Sequence, residues 1–216
     1  MISYFSRHMT SVIRVNPIWI VASRYVIHIA SVLYLGINYY WGLSGQLPGD
    51  PVQALLDFSG ISALNLLIAT LLISPIAQHF KFAQLMPLRK TLGVYAAVYA
   101  LFHLYIFIAY ELAYEWLLVA QEIVERPYIT VGFVALTLLV MLLATSLQSI
   151  RKRMKSRWQK LHNSIYLIAI LGSVHFLWSV KSNITEPVIY LVIFAILLML
   201  PKIRRSRIFS MFKKAP

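Results

Sequence analysis

The sequence predicts an all-α membrane protein, a six-helix transmembrane bundle with both termini in the cytoplasm. Three observations carry that prediction. Apolar types fill 60% of the 216 residues and charged types only 12%, about half the ~25% charged share of an ordinary soluble domain. Mean hydropathy is +0.73, and six stretches approach the ~20 apolar residues that cross a bilayer as a helix. Finally, the charges sort by side once those six are drawn.

The stretches fall at about 17–40, 61–77, 91–112, 128–148, 161–180 and 187–201. The first, from Pro17 to Tyr40, is interrupted by Arg24, and no small-x-small site follows it promptly. It therefore reads as a span rather than a cleavable signal. The second and sixth are short. The fourth is the plainest, an unbroken Val-Gly-Phe-Val-Ala-Leu-Thr-Leu-Leu-Val run. Pro51, Pro127 and Pro187 lie at or just before helix starts, where proline is tolerated. No repeat and no long linker appears, so residues 1–216 read as a single transmembrane domain.

Six crossings put both termini on one side. On that side fall Arg7, Arg14, Lys81, Arg89 and Lys90, the 151–160 loop, and the tail cations Lys202, Arg204, Arg205, Arg207, Lys213 and Lys214. The other side has Arg126, Lys181 and all seven acids: Asp50, Asp57, Glu111, Glu115, Glu122, Glu125 and Glu186. Lys/Arg excess in short loops marks the cytoplasm. The net charge of +13 is thus a membrane-topology signature and a source of contact with anionic lipid. It is not a nucleic-acid footprint. The same composition excludes a soluble enzyme and a disordered tail.

The chain has no cysteine. Disulfides, Cys-ligated zinc, iron–sulfur clusters and covalent haem are excluded. GxGxxG, Walker, HExxH and GxSxG motifs are also missing. The loops are too short for a soluble domain, which leaves the bundle interior and its rims as the place of function.

Ionisable groups inside a membrane are costly and usually functional, so the six histidines come next. His103 lies 12 residues after Thr91, and His175 lies 14 after Leu161. At 1.5 Å per residue, these positions are ~18 and ~21 Å from the cytoplasmic helix ends. Two imidazoles at matched depth on separate helices suit the two axial faces of a haem iron. Ala96, Ala100, Gly172 and Ser179 share their faces and leave room for a flat macrocycle. Helix–helix packing explains the same small residues equally well. His162, 13 residues before His175, is ~20 Å nearer the cytoplasm and roughly 140° off the His175 face. It reads either as a ligand lacking an identified partner or as a polar helix-start residue. The matching level of the third helix holds Arg89 and Lys90, and His79 sits on the right side to face His162. For His28, a hydrogen-bonded core residue and a quinone contact are both open, the former preferred. His8 reads as exposed. Trp178, three after His175, borders a haem or belongs to an interfacial belt.

With these residues placed, the run Trp158, Leu161, His162, Tyr166, His175, Trp178 and Lys181 resembles the matching helix of the MsrQ (YedZ) family, haem-binding membrane subunits of a periplasmic methionine sulfoxide reductase system. Asp50-Pro51-Val52, Phe58-Ser59-Gly60, Leu66 through Pro75, Arg89 through Gly93, Leu101-Phe102-His103 and Arg126-Pro127-Tyr128 extend the likeness from the first helix to the sixth. The resemblance implies a ferric-reductase-like fold in the bacterial inner membrane. It implies haem b, one or two, with His103, His162 and His175 as the haem-linked residues. It also implies electron delivery to a periplasmic MsrP-type molybdoenzyme that repairs methionine sulfoxide. FMN, and a quinone or cytosolic flavin reductase as electron donor, come with the family, and Arg89 stands where the family has a basic residue. Where other members carry Gly-Arg at the start of the second helix, this chain has Gly60-Ile61.

The leading expectation is an electron-transfer subunit with no substrate chemistry of its own. Its acidic outer loops, 41–57 and 111–126, are the expected docking surface. The alternatives are a stand-alone ferric or metal reductase and a non-redox transporter or scaffold. The first would reduce iron without a partner, and the second would purify without colour.

Overall fold

The computed structural model describes residues 16–180 and 183–212, with side chains through residue 199. Arg7, His8, Arg14, Lys181, Lys213 and Lys214 lie outside the described residues, as do the side chains of Lys202, Arg204, Arg205 and Arg207.

Helix α1 runs Pro17–Leu43. The Asn16 side chain accepts from the Ile18 amide at 3.1 Å and Pro17 takes the first helical position, so the start is set locally. Helix α2 runs Pro51–His79, about ten residues earlier than hydropathy places it. Its first three turns carry Gln53, Asp57 and Ser59, too polar to read as a span. Asp50 nevertheless caps the Val52 amide at 3.0 Å, and Gln53 donates to Asp57 at 2.8 Å across one turn.

Helix α3, Met86–Ile106, is led in by a short 3₁₀ turn and continues into a π-helical turn at Phe107–Glu111. Ala113 and Tyr114 then take φ of 46° and 61°, ending the rod. The expected 111–126 loop contains a helix of its own, α4, Trp116–Glu125. Helix α5, Pro127–Ala144, begins at its proline.

The fifth stretch differs most from expectation. After α6, Gln148–Met154, Lys155 at φ 50° turns the chain. Helix α7, Ser156–His162, and α8, Ile165–Ser179, then replace one continuous helix. Asn163 and Ser164 form the break, and the Ser164 hydroxyl folds back onto the Leu161 carbonyl at 2.7 Å. Helix α9 runs Thr185–Phe212.

Among the described residues five stretches are long and apolar enough to cross a membrane: Pro17–Leu43, Pro51–His79, Ala83–Glu111, Pro127–Ala144 and Ser156–Ser179. The described apolar part of α9, Thr185–Met199, is shorter. No strand occurs among the described residues.

The core lies between α2, α3, α5, α8 and α9. Leu67, Leu71, Ala96, Ala97, Leu139, Leu142, Ile165, Ile168, Ala169, Phe194 and Leu197 form one buried cluster. Buried hydroxyls of Ser59, Thr70 and Ser173 return to carbonyls one turn back at 2.7 Å, which removes their need for water. Helix α1 contributes nothing to this cluster. It leans on the outside through Tyr99, whose hydroxyl donates to the Ser31 carbonyl at 2.8 Å, and through the Tyr39–Tyr110 hydroxyl pair at 2.7 Å. His28 is therefore not a core residue: it is exposed on the apolar outer face.

Phe194 is 1% exposed at the centre of the cluster. Phe194→Ala should destabilise the fold by about 3 kcal/mol, read as a lowered thermal midpoint of the detergent-purified protein.

Candidate functional site

Two histidines meet between the helix pairs α2/α3 and α5/α8. The ring centres of His103 on α3 and His175 on α8 are 6.2 Å apart, with the ring planes 87° to one another. Each ring is half-buried, and each is held from behind by backbone. His103 Nδ1 lies 3.0 Å from the Leu56 carbonyl and 3.3 Å from the Ser59 hydroxyl. His175 Nδ1 lies 2.7 Å from the Tyr128 carbonyl. A carbonyl only accepts, so Nδ1 carries the proton in both rings. Each Nε2 is left with a bare lone pair. A backbone carbonyl behind a ligating imidazole is the arrangement that fixes its tautomer and orientation for metal.

Glycine makes this approach possible. A Cβ at Gly132 on α5 would lie 2.6 Å from His175 Nδ1, and one at Gly60 on α2 would lie 3.2 Å from His103 Nδ1. Gly172, by contrast, faces Leu64 on α2, Ala96 is wholly buried in the core, and Ala100 packs against it. These three small residues seat helices on each other. The glycines that make room for the imidazoles are Gly60 and Gly132. A lone glycine in the apolar run of α5 was the sequence signal for Gly132. The Leu56 and Tyr128 carbonyls carry no sequence signal.

The spacing fits one metal ion held between the rings. Two metal–nitrogen bonds of ~2.0–2.1 Å, plus ~1.1 Å from each Nε2 to its own ring centre, separate the centres by ~6.2–6.4 Å. Among the described residues no group of three or more His, Cys, Asp or Glu could hold a metal. Two neutral imidazoles with no further protein ligand beside them are a donor set that would suit a haem, whose macrocycle brings its own nitrogens.

His162 stands apart from this pair. Its ring stacks on Trp158 at 3.9 Å between centres, and the Arg151 guanidinium lies 4.5 Å above the other ring of that stack. The Thr145 hydroxyl donates to the Met141 carbonyl at 2.7 Å. It therefore accepts from His162 Nε2 at 3.1 Å. Nδ1 is the nitrogen left over. His79 packs edge-on against Phe80, and no described contact brings it to His162. Arg89 donates to the Ser74 hydroxyl at 3.0 Å and acts electrostatically on His162 together with Arg151. Beside the stack, Gln148, Arg151, Lys152, Lys155, Trp158 and Gln159 line an open cleft of about 480 Å³. Trp178 is exposed on the apolar surface.

Residues 58–173 match the ferric reductase like transmembrane component family. The protein-methionine-sulfoxide reductase heme-binding subunit MsrQ of Klebsiella pneumoniae is 38% identical over 173 residues, 80% of this chain and 87% of that one. The subunits of the same name from Salmonella arizonae and Salmonella enteritidis are 39% and 40% identical. They cover 85% and 84% of this chain and 91% of their own length in each case.

Gly132→Ala should force the His175 ring off the Tyr128 carbonyl. The detergent-purified variant should melt well below wild type. Gly36→Ala, where nothing lies within 4 Å of the added carbon, should melt at or slightly above it.

Proposed function

The chain belongs to the ferric reductase like transmembrane component family and, within it, to the MsrQ subunits, and from that premise we propose that it is a haem b electron-transfer subunit serving methionine sulfoxide reduction. It is a multi-pass protein of the bacterial inner membrane. The finer reading is one domain over residues 1–216 with six crossings and both termini cytoplasmic. Electrons arrive from a quinol or a cytosolic flavin reductase and leave to a periplasmic MsrP-type molybdoenzyme.

The observation that carries the reading is the His103–His175 pair, two imidazoles whose centres stand 6.2 Å apart with both Nδ1 atoms turned to carbonyls. A haem there would be held by His103 and His175 through their Nε2 atoms. A haem bound there would supply one-electron chemistry, its iron alternating between the ferric and ferrous forms. The chain's own work is to fix the ligands. The Leu56 and Tyr128 carbonyls hold both rings in one tautomer and raise their basicity. Gly60 and Gly132 let α2 and α5 come close enough to do so.

Orientation of the electron path rests on charge. The cationic segments around Arg89 and Arg151–Lys160 face the cytoplasm on this reading. On the same reading Asp50, Glu111, Glu115, Glu122 and Glu125 lie toward the outer end, and Asp57 follows Leu56 at the level of the histidine pair. The 41–57 and 111–126 segments, the latter containing α4, are the docking surface for the molybdoenzyme. Arg89, tethered to Ser74, and the basic cleft beside Trp158 are the place proposed for the FMN of the family. His162 sits within that basic cluster, with its Nδ1 available as the ligating atom should a second haem bind.

The test is a reduced-minus-oxidised spectrum and a pyridine haemochrome assay on the purified protein. His103→Ala and His175→Ala should each lose a b-type haem and methionine sulfoxide repair. Stoichiometric haem in the double variant would sink the assignment. A ratio near one haem per chain, unchanged in His162→Ala, places a single haem at the pair; a ratio near two that falls to one in His162→Ala adds the cytoplasmic site. Ferric reduction by the purified subunit alone, with no molybdoenzyme present, would favour the metal reductase instead.

A further inference from the structure

Of the two described histidines left outside both sites, His79 packs on Phe80 and His28 stands on α1. His28 lies 11 residues along α1 from Pro17, and Tyr95 lies 9 along α3 from Met86, hence ~17 and ~14 Å from the helix starts. Both are near the middle of a hydrocarbon layer ~30 Å thick. There His28 Nδ1 meets the Tyr95 hydroxyl at 2.9 Å, with the rings edge-on at 5.4 Å between centres. His28 is exposed rather than buried, and so is Arg24, one turn back on the same stripe. An ionisable group held open to lipid at that depth is expensive and marks a function. Nor is the pair needed to seat α1, which Ser31–Tyr99 and Tyr39–Tyr110 already tie to the bundle.

We propose that His28 and Tyr95 bind the headgroup of a lipid-soluble quinone or quinol at the outer edge of α1 and α3. This goes beyond the haem reading in giving the electron donor a site, and rests on that reading only for the donor's purpose. Three features fit. A ligand reaching the midplane from the side must be apolar with a hydrogen-bonding head, which describes this class. Among the described residues His28 Nε2 has no partner, and the two tautomers match the two ligand forms. When Tyr95 donates to Nδ1, the proton on Nε2 is offered to a quinone carbonyl. When Nδ1 donates to Tyr95, the bare Nε2 accepts from a quinol hydroxyl. Lastly, Tyr95 stands eight residues before His103 on the same helix, ~12 Å along its axis, a separation electrons tunnel across in proteins.

The experiment is photolabelling of the holoprotein in lipid nanodiscs with an azido-ubiquinone, competed by decylubiquinone and mapped by peptide mass spectrometry. Label should fall within 17–43 or 86–106 around His28 and Tyr95. It should drop roughly five- to tenfold in His28→Leu and in Tyr95→Phe, the loss expected for a hydrogen bond, with haem content unchanged. Decylubiquinol should reduce the haem more slowly in both variants while dithionite reduces it as in wild type. Label that maps elsewhere, or that persists at wild-type level in both variants, overturns the site. Haem-free protein that still labels here would remove the haem reading and leave the quinone site standing; haem-loaded protein without label would do the reverse.

Discussion

Inside a bilayer every polar group must find its partner within the protein, because no water is there to supply one. The arrangement of this bundle follows from that constraint at two atoms, Nδ1 of His103 and Nδ1 of His175. Each is satisfied by a main-chain carbonyl on the neighbouring helix, Leu56 on α2 and Tyr128 at the start of α5. Reaching a carbonyl already committed to its own helix requires close approach of whole helices. Gly60 and Gly132 permit it, since a Cβ at either would meet the imidazole. The pairings of α2 with α3 and of α5 with α8 then bring the two imidazole rings to 6.2 Å between centres.

The same rule sorts the remaining polar residues. Buried hydroxyls of Ser59, Thr70 and Ser173 turn back on their own helices, and Ser59 also faces His103 Nδ1. Thr145 takes His162 Nε2 and Trp158 Nε1 on its hydroxyl and carbonyl, which anchors α7 to the end of α5. Among the described residues no buried side-chain nitrogen or oxygen is left without a partner. Against that background, the lipid-facing His28–Tyr95 pair stands out as polarity kept at the surface.

The two ends of the bundle differ in chemistry. One carries Arg89, Arg151 and the lysines of the α6–α7 turn, gathered around a stacked Arg151–Trp158–His162 column. The other carries the acids and the irregular backbone after α3, where a π-helical turn and two left-handed residues end the helix only a few residues beyond His103. On the proposed function, electrons enter near the first or from the lipid and leave past the second.

Composition and hydropathy alone determined that this chain is a helical membrane protein, because no soluble fold can cover so apolar a chain. Spacing along single helices also placed His103 and His175 at matched depth, since depth is a one-dimensional quantity at 1.5 Å per residue. What a helix does around its axis and against its neighbours is not one-dimensional, and there only tertiary structure decided. It put Gly60 and Gly132 behind the imidazoles and gave Gly172 and Ala96 to helix packing, one of the two roles their spacing allows. It also extended α2 back to Pro51 on a capping aspartate that hydropathy does not register, and split the fifth stretch at Asn163–Ser164. Its placement of α1 outside the core turned His28 from an expected interior residue into one facing lipid. The glycine and His28 placements depend on which helix lies next to which, and the contacts that settle them join residues tens of positions apart in the chain; the α2 cap and the Ser164 break are local, set by polar side chains that hydropathy does not weigh.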